Sequence, residues 1–195
     1  IRPRDWSSDV CSSDLVQRTL LTHSHYADLI VVGQGGDDMR ALGESELAET
    51  LVIGSSRPVL IVPRYGRFDS VGQRVLVAWN GTREASRALH DSLPILVDAA
   101  AVTVLQINPA PGEAPRIPGA DIGAHLARHG VRAAVSALSA SDIGVGDALL
   151  SRAADLGVDL IVMGAYGHAR LLEYAFGGVT RHLLRHMTVP VLMSH

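Results

Sequence analysis

From Gln73 onward, short apolar runs alternate with stretches whose apolar residues recur at helical spacing. Arg74 to Trp79 is an apolar run of buried-strand type, closed by the turn pair Asn80-Gly81. Thr82 then caps a helix with Glu84 in its first turn, and Pro94 is expected to end or kink it. Val102 to Ile107 reads as a second strand. A Pro- and Gly-rich loop from Pro109 to Gly119 follows, then a helix reaching His129, with Gly130 as its stop. Val131 to Leu138 reads as a third strand. Ser141 or Asp142 is expected to cap the next helix, where Val145, Leu149, Ala153 and Leu156 share one face and Gly157 is the stop. Asp159 to Met163 is the fourth strand, continuously apolar because both of its faces are covered. A last helix, Gly178 to Met187, puts Val179, Leu183, Leu184 and Met187 on one side. Val189 to Met193 closes the pattern, and its Pro190 favours an edge position.

Strands alternating with helices predict an α/β fold: an open parallel five-stranded sheet with helices on both faces. The chain also repeats itself. Ala27 to Gly33 (ADLIVVG) matches Val158 to Gly164 (VDLIVMG), and Arg57 to Val62 (RPVLIV) matches Val189 to Ser194 (VPVLMS). The two offsets differ by one residue, as expected of a duplicated unit whose first copy is partial. The expected organisation is therefore residues 16–64 as the C-terminal part of a first copy, 65–72 as a linker and 73–195 as a complete domain. Residues 1–15 carry neither period. They resemble translated adapter sequence and are expected to be non-native, Cys11 included.

Composition narrows the chemistry. Hydrophobic residues are 47% and charged residues 19%, which gives enough apolar matter for a core and too much for disorder. All 17 basic residues are Arg, so a P-loop lysine, a lysine Schiff base and a Ser–Lys dyad are excluded together. Cys11 is the single cysteine, so disulfide frameworks and four-cysteine zinc sites are excluded, and a cytoplasmic location is expected. A net charge of −3 leaves no basic footprint for nucleic acid or an anionic membrane.

The chemistry that remains sits after the fourth strand. Gly164-Ala-Tyr-Gly167 is followed by nine residues and then by Gly177-Gly178-Val179-Thr180, which opens the last helix. A helix N-terminus presents free backbone N–H groups to an anion, and glycines let a phosphate approach closely. In an open parallel sheet the ligand crevice lies where the strand order reverses, here between the strands ending at Asn80 and Gly164.

At these residues the sequence resembles the universal stress protein family in its tandem-domain form, whose nucleotide-binding members carry G-x2-G-x9-G-(S/T). Gly164, Gly167 and Gly177 match that spacing. The resemblance implies strand order 3-2-1-4-5, self-association as a dimer or tandem pseudo-dimer through the last strand, and no catalytic residues. It also implies ATP or a related adenine nucleotide, possible with magnesium, held by Asn80, Met163, Gly164, Gly167, Gly177, Gly178, Val179 and Thr180. Two positions depart from the pattern: Gly178 stands where those members place a hydroxyl, and Asn80 where many have Asp. In the first copy Ser45-Glu46 replaces the second glycine pair, so that copy should not bind nucleotide.

Other readings are weaker. His125/His129 and His182/His186 each have the i, i+4 spacing of zinc ligands but no third ligand nearby in sequence, so no metal site is expected. His168 lies in the loop and is as readily a plain loop residue as a phosphate contact. Gly33-Gln-Gly-Gly36 lacks the third glycine of a dinucleotide fingerprint, and no Gly-x-Ser-x-Gly elbow is present. The leading expectation is a stress-associated regulator that binds nucleotide weakly and acts on an unidentified regulatory partner. The alternative is a nucleotide-free dimeric interaction module.

Overall fold

The computed structural model of the chain describes residues 7–35, 42–108, 120–140, 144–167 and 178–195, with the side chains of 7–14, 42–46 and 120 left aside. In chain order the elements are α1 (Ser7–Ser24), β1 (Ile30–Gly33), α2 (Leu42–Gly54), β2 (Val59–Val62), β3 (Arg74–Ala78), α3 (Arg83–Asp98) and β4 (Ala101–Ile107). They continue as α4 (Ala120–Arg128), β5 (Ala133–Leu138), α5 (Val145–Leu156), β6 (Leu160–Gly164), α6 (Gly178–His186) and β7 (Val191–Ser194).

All strands join one seven-stranded sheet, in the order β1-β2-β7-β6-β3-β4-β5. Counted from Arg74 onward, its last five members run 3-2-1-4-5, all parallel. The five-stranded expectation is corrected by β1 and β2, which extend the same sheet. Strand β2 pairs antiparallel with β7, setting Leu60 opposite Leu192. The physical reason is the apolar edge that β7 would otherwise leave unpaired. The repeated segments form like pairs: β1 lies parallel to β2 with Ile30 opposite Val59, and β6 parallel to β7 with Ile161 opposite Val191.

This arrangement also corrects the edge position expected for Pro190. Strand β7 is internal, and Pro190 precedes its first residue, where the missing N–H breaks no ladder bond while its carbonyl accepts from the Ile161 amide at 3.0 Å.

Side-chain alternation along the strands sorts the core into two layers. On one face Ala88, Leu89 and Leu96 of α3, with Ile122 and Leu126 of α4, cover Val75, Val77, Val102, Val104, Leu160 and Val162. On the other, Leu149 and Ala153 of α5, Leu183 and Leu184 of α6, and Leu51 of α2 cover Leu76, Leu105, Ile161, Val191 and Met193.

Local signals explain several helix ends. Thr82 caps α3 by accepting from the Ala85 amide, and Gly157 ends α5 in the left-handed region at φ 55°. Pro94 neither ends nor is needed to end α3, which continues to Asp98. An interior proline costs about 3 kcal/mol, and the buried Leu89 and Leu96 on either side outweigh it. Ser141 and Asp142 lie outside the described residues, and Gly144 is the N-cap of α5.

The stretch 65–72 is tied down rather than free. The Asp159 carboxylate, one residue before β6, accepts from the Ser70 hydroxyl at 2.8 Å and from the amides of Gly72 (3.1 Å), Gln73 (3.1 Å) and Arg74 (2.8 Å). Arg74 also donates to the Leu156 carbonyl.

Residues 7–15, read as aperiodic, belong to α1. Leu15 is 65% exposed, whereas Leu21 further along packs on the core. Deleting residues 1–15 is expected to leave the melting temperature unchanged. A fall of more than about 4 °C, roughly 1 kcal/mol or more for a chain of this size, would show that this segment packs.

Candidate functional site

Strands β3 and β6 are neighbours, with β4 beyond one and β7 beyond the other. The chain therefore leaves their carboxyl ends toward opposite faces, α3 on one and α6 on the other, and a crevice opens between them. Its first wall is the turn after β3. Asn80 Oδ1 accepts from the Thr82 amide at 3.2 Å and the Thr82 hydroxyl at 2.9 Å. Gly81 takes φ +74°, a conformation that a side chain would strain. Asn80 thus spends its acceptor on building the turn, and its amide NH₂ is what it has left for a ligand.

The second wall is Gly164 to Gly167. A Cβ on Gly164 would lie 2.5 Å from the Glu84 carbonyl carbon and closer still to the Ala85 amide nitrogen. This glycine lets the end of β6 touch the start of α3, a packing duty that exists without any ligand. A Cβ on Gly167 would lie 2.7 Å from Glu84 Oε2 and 3.4 Å from Thr82 Oγ1. Between them, Ala165 is fully buried and Tyr166 takes φ +55°, uncommon for a residue other than glycine. Its hydroxyl is buried beside Glu49 and Arg181. Burial, then the negative charge of Glu49, pushes its ionisation well above the ordinary tyrosine range.

Glu84 joins this site without any signal in the sequence around it. It is 3% exposed; Oε1 accepts from Arg83, while Oε2 is buried without a hydrogen-bond partner among the described residues. Burial pushes its carboxyl up, but the Arg83 hydrogen bond, a backbone amide, the Arg83 charge and Thr82 together hold it below the usual carboxylate range. An ionised oxygen therefore faces Gly167. In sequence Glu84 looks like an ordinary first-turn helix acid. Only the adjacency of β3 and β6 brings it against a loop 83 residues later.

The start of α6 is the next element after β6 in the chain. Gly178 is exposed, and among the described residues a Cβ there would meet nothing within 4 Å. Thr180 is buried and Val179 half-buried against the core, so this turn offers a ligand its free backbone amides rather than the Thr180 hydroxyl. Met163 is 5% exposed, in the core beneath the crevice, paired with Ala78 across the sheet. The fold thus brings Asn80, Gly164 and Gly167 together at the crevice. Gly177 and His168 lie outside the described residues, as do the side chains of Ser45 and Glu46.

The fingerprint-like Gly33-Gln34 has a different occupation. Gln34 Nε2 donates to the Leu184 and Arg185 carbonyls at 2.7 and 3.1 Å, and its Oε1 accepts from the Arg64 amide at 3.0 Å. It satisfies carbonyls at the C-terminal end of α6 that no intrahelical donor reaches.

Comparison with known proteins agrees with this architecture. A sequence model of the universal stress protein family matches residues 72–195, and the chain belongs to that family. A universal stress protein of Synechocystis sp. is 26% identical over 172 residues, covering 85% of this chain and 57% of the relative, so the chain spans little more than half of that protein's length. Among solved structures, a universal stress protein from Archaeoglobus fulgidus superposes with a TM-score of 0.72 at 18% identity, covering 91% of this chain and 64% of the other. One from Pseudomonas aeruginosa gives 0.57 at 16% identity, covering all of this chain (100%) and 80% of the other. These likenesses establish the fold. Among the described residues, no helix is long and apolar enough to cross a membrane.

Proposed function

We propose that this stress-associated protein is a cytoplasmic regulator that holds ATP or a related adenine nucleotide weakly between the ends of β3 and β6, without turnover. The carrying observation is the exposed start of α6 at Gly178, in a sheet whose strand order reverses between β3 and β6. Glu84 limits how tightly phosphates can sit there, because an ionised carboxylate repels them. Magnesium reconciles the two charges, since it is commonly held by one or two carboxylates together with phosphates, and Glu84 Oε2, unpartnered among the described residues, suits that role. Nucleotide would then bias which regulatory partner the protein engages. The same carboxylate supports a second reading, a nucleotide-free interaction module of the same fold.

Calorimetric titration with ATP, with and without magnesium, separates them. Gly178→Ser adds a hydroxyl where space is free; a hydrogen bond to an anion is worth about 1.5–3 kcal/mol, so affinity should rise roughly tenfold or more. Glu84→Gln should raise affinity for magnesium-free ATP and flatten the magnesium dependence. If neither substitution changes ATP affinity, the nucleotide reading fails and the interaction module stands. Gly167→Val is a poor control, because its Cβ would strike Glu84 and disturb α3 as well as the loop.

A further inference from the structure

We propose that His90, His125 and His129 form a binding site for one divalent transition ion of the zinc type, on the helical face formed by α3 and α4. Each residue offers a ring nitrogen, and the three ligand atoms lie within 4.8 Å of one another. No other group of this kind is present among the described residues. His125 and His129 come from the i, i+4 spacing on and just beyond α4. His90 comes from α3, 35 residues earlier than His125, and supplies the third ligand that the spacing alone lacked. The rings are packed edge to face or tilted, with centroids 4.8 to 6.2 Å apart.

The hydrogen bonding of His90 prepares it for this role. Its Nδ1 lies 2.7 Å from the Ser86 carbonyl oxygen. A carbonyl only accepts, so Nδ1 carries the proton, and the neutral ring keeps its lone pair on Nε2. Metal-bound histidines almost always donate their other N–H in this way, which fixes the tautomer and the ring orientation. His90 Nε2 lies 3.1 Å from His125 Nε2. Zinc–nitrogen bonds of about 2.0–2.1 Å in tetrahedral geometry separate ligand nitrogens by roughly 3.3 Å, so this pair already stands near the required spacing. Without an ion, one ring must donate a proton to the other across this contact; an ion would take that proton's place.

His125 is half-buried between the other two rings. Arg128 opposes a cation, and imidazoles bring no compensating charge, so micromolar rather than nanomolar affinity is expected. Three protein ligands leave a fourth position for water. The second i, i+4 pair differs. His182 Nε2 is engaged by Asp147 Oδ1 at 2.8 Å, and the two rings stack at 4.4 Å with no third ligand among the described residues.

The test is calorimetric titration of zinc chloride into the full, tag-free chain in a non-chelating buffer, repeated with cobalt(II) to read its visible absorption bands. One ion per chain is expected. His90→Ala and His129→Ala should each weaken binding at least about tenfold and change the cobalt spectrum, since even second-shell losses cost 10–100-fold. Both residues are exposed, so their loss should leave the fold intact. The double variant His182→Ala/His186→Ala should bind as the parent does. Parent-like zinc binding by His90→Ala and His129→Ala, or no saturable binding up to millimolar zinc, overturns the proposal.

Discussion

Among the described glycines, Gly164→Ala should be the most damaging single-methyl change, destabilising the protein by about 3 kcal/mol, at the upper end of the usual range for overpacking. The added carbon would press on the backbone of Glu84 and Ala85, and backbone at a helix start cannot rotate aside as a side chain can. The start of α3 or the end of β6 must then shift, although each is packed against the core through its neighbours. Urea unfolding should show the lower midpoint, and thermal unfolding a fall of roughly 6–12 °C. Gly178→Ala is the matched control, since its methyl group meets nothing among the described residues. Equal midpoints for Gly164→Ala and the parent would mean that the contact between β6 and α3 is looser than the geometry shows.

The second large effect belongs to Asp159. Replacing it by Ala strips four donors of one ionised acceptor, three of them backbone amides, and should cost about 2–3 kcal/mol. Water can reach part of this exposed segment, so the four losses will not add in full. The effect is also pH-dependent. Burial pushes the Asp159 carboxyl up, but the Arg74 amide, the Ser70 hydroxyl and the amides of Gln73 and Gly72 outweigh it and hold the folded-state value below the ordinary one. A group lowered on folding contributes its full stability above its unfolded value, about 3.9, and loses that contribution as pH falls through the folded value. The gap in urea midpoint between parent and Asp159→Asn should therefore be widest near neutrality and narrow below about pH 4. A gap that is constant from pH 7 to pH 3 would count against an ionised Asp159 as the anchor.

Periodicity made the sheet legible because the strand runs are short, apolar and bounded by Gly, Asn or Asp. Arg74 to Ala78 and Leu160 to Gly164 begin and end within a residue or two of where the pattern puts them. Thr82 and Gly157 were legible for the same local reason. Pro94 does not end α3, which burial of Leu89 and Leu96 carries past it, and Pro190 stands one residue outside an internal strand rather than at an edge.

The candidate site was legible only in part. The glycine spacing located its loop, but Gly164 and Gly167 both abut α3, and nothing near them in sequence announces Glu84. His90 escaped for the same reason: ligand spacing is visible along one helix and invisible between two. Gln34, which looked like part of a ligand motif, is committed to the last turn of α6.

The pairing of β2 with β7 has a consequence in symmetry. Leu60 and Leu192 occupy equivalent places in the two similar segments 57–62 and 189–194 and stand opposite each other, and the parallel registers on either side correspond residue for residue. A local dyad therefore passes between these two leucines, and the contact is isologous: what β2 offers β7, a second β7 could offer equally. In this chain β2 already fills that edge, so self-pairing through β7 requires β2 to be displaced. A substitution at Leu192 acts once here and twice in an assembly joined through β7 alone, whereas one at Leu60 acts only here. Comparing the two substitutions distinguishes the intramolecular arrangement from its intermolecular counterpart.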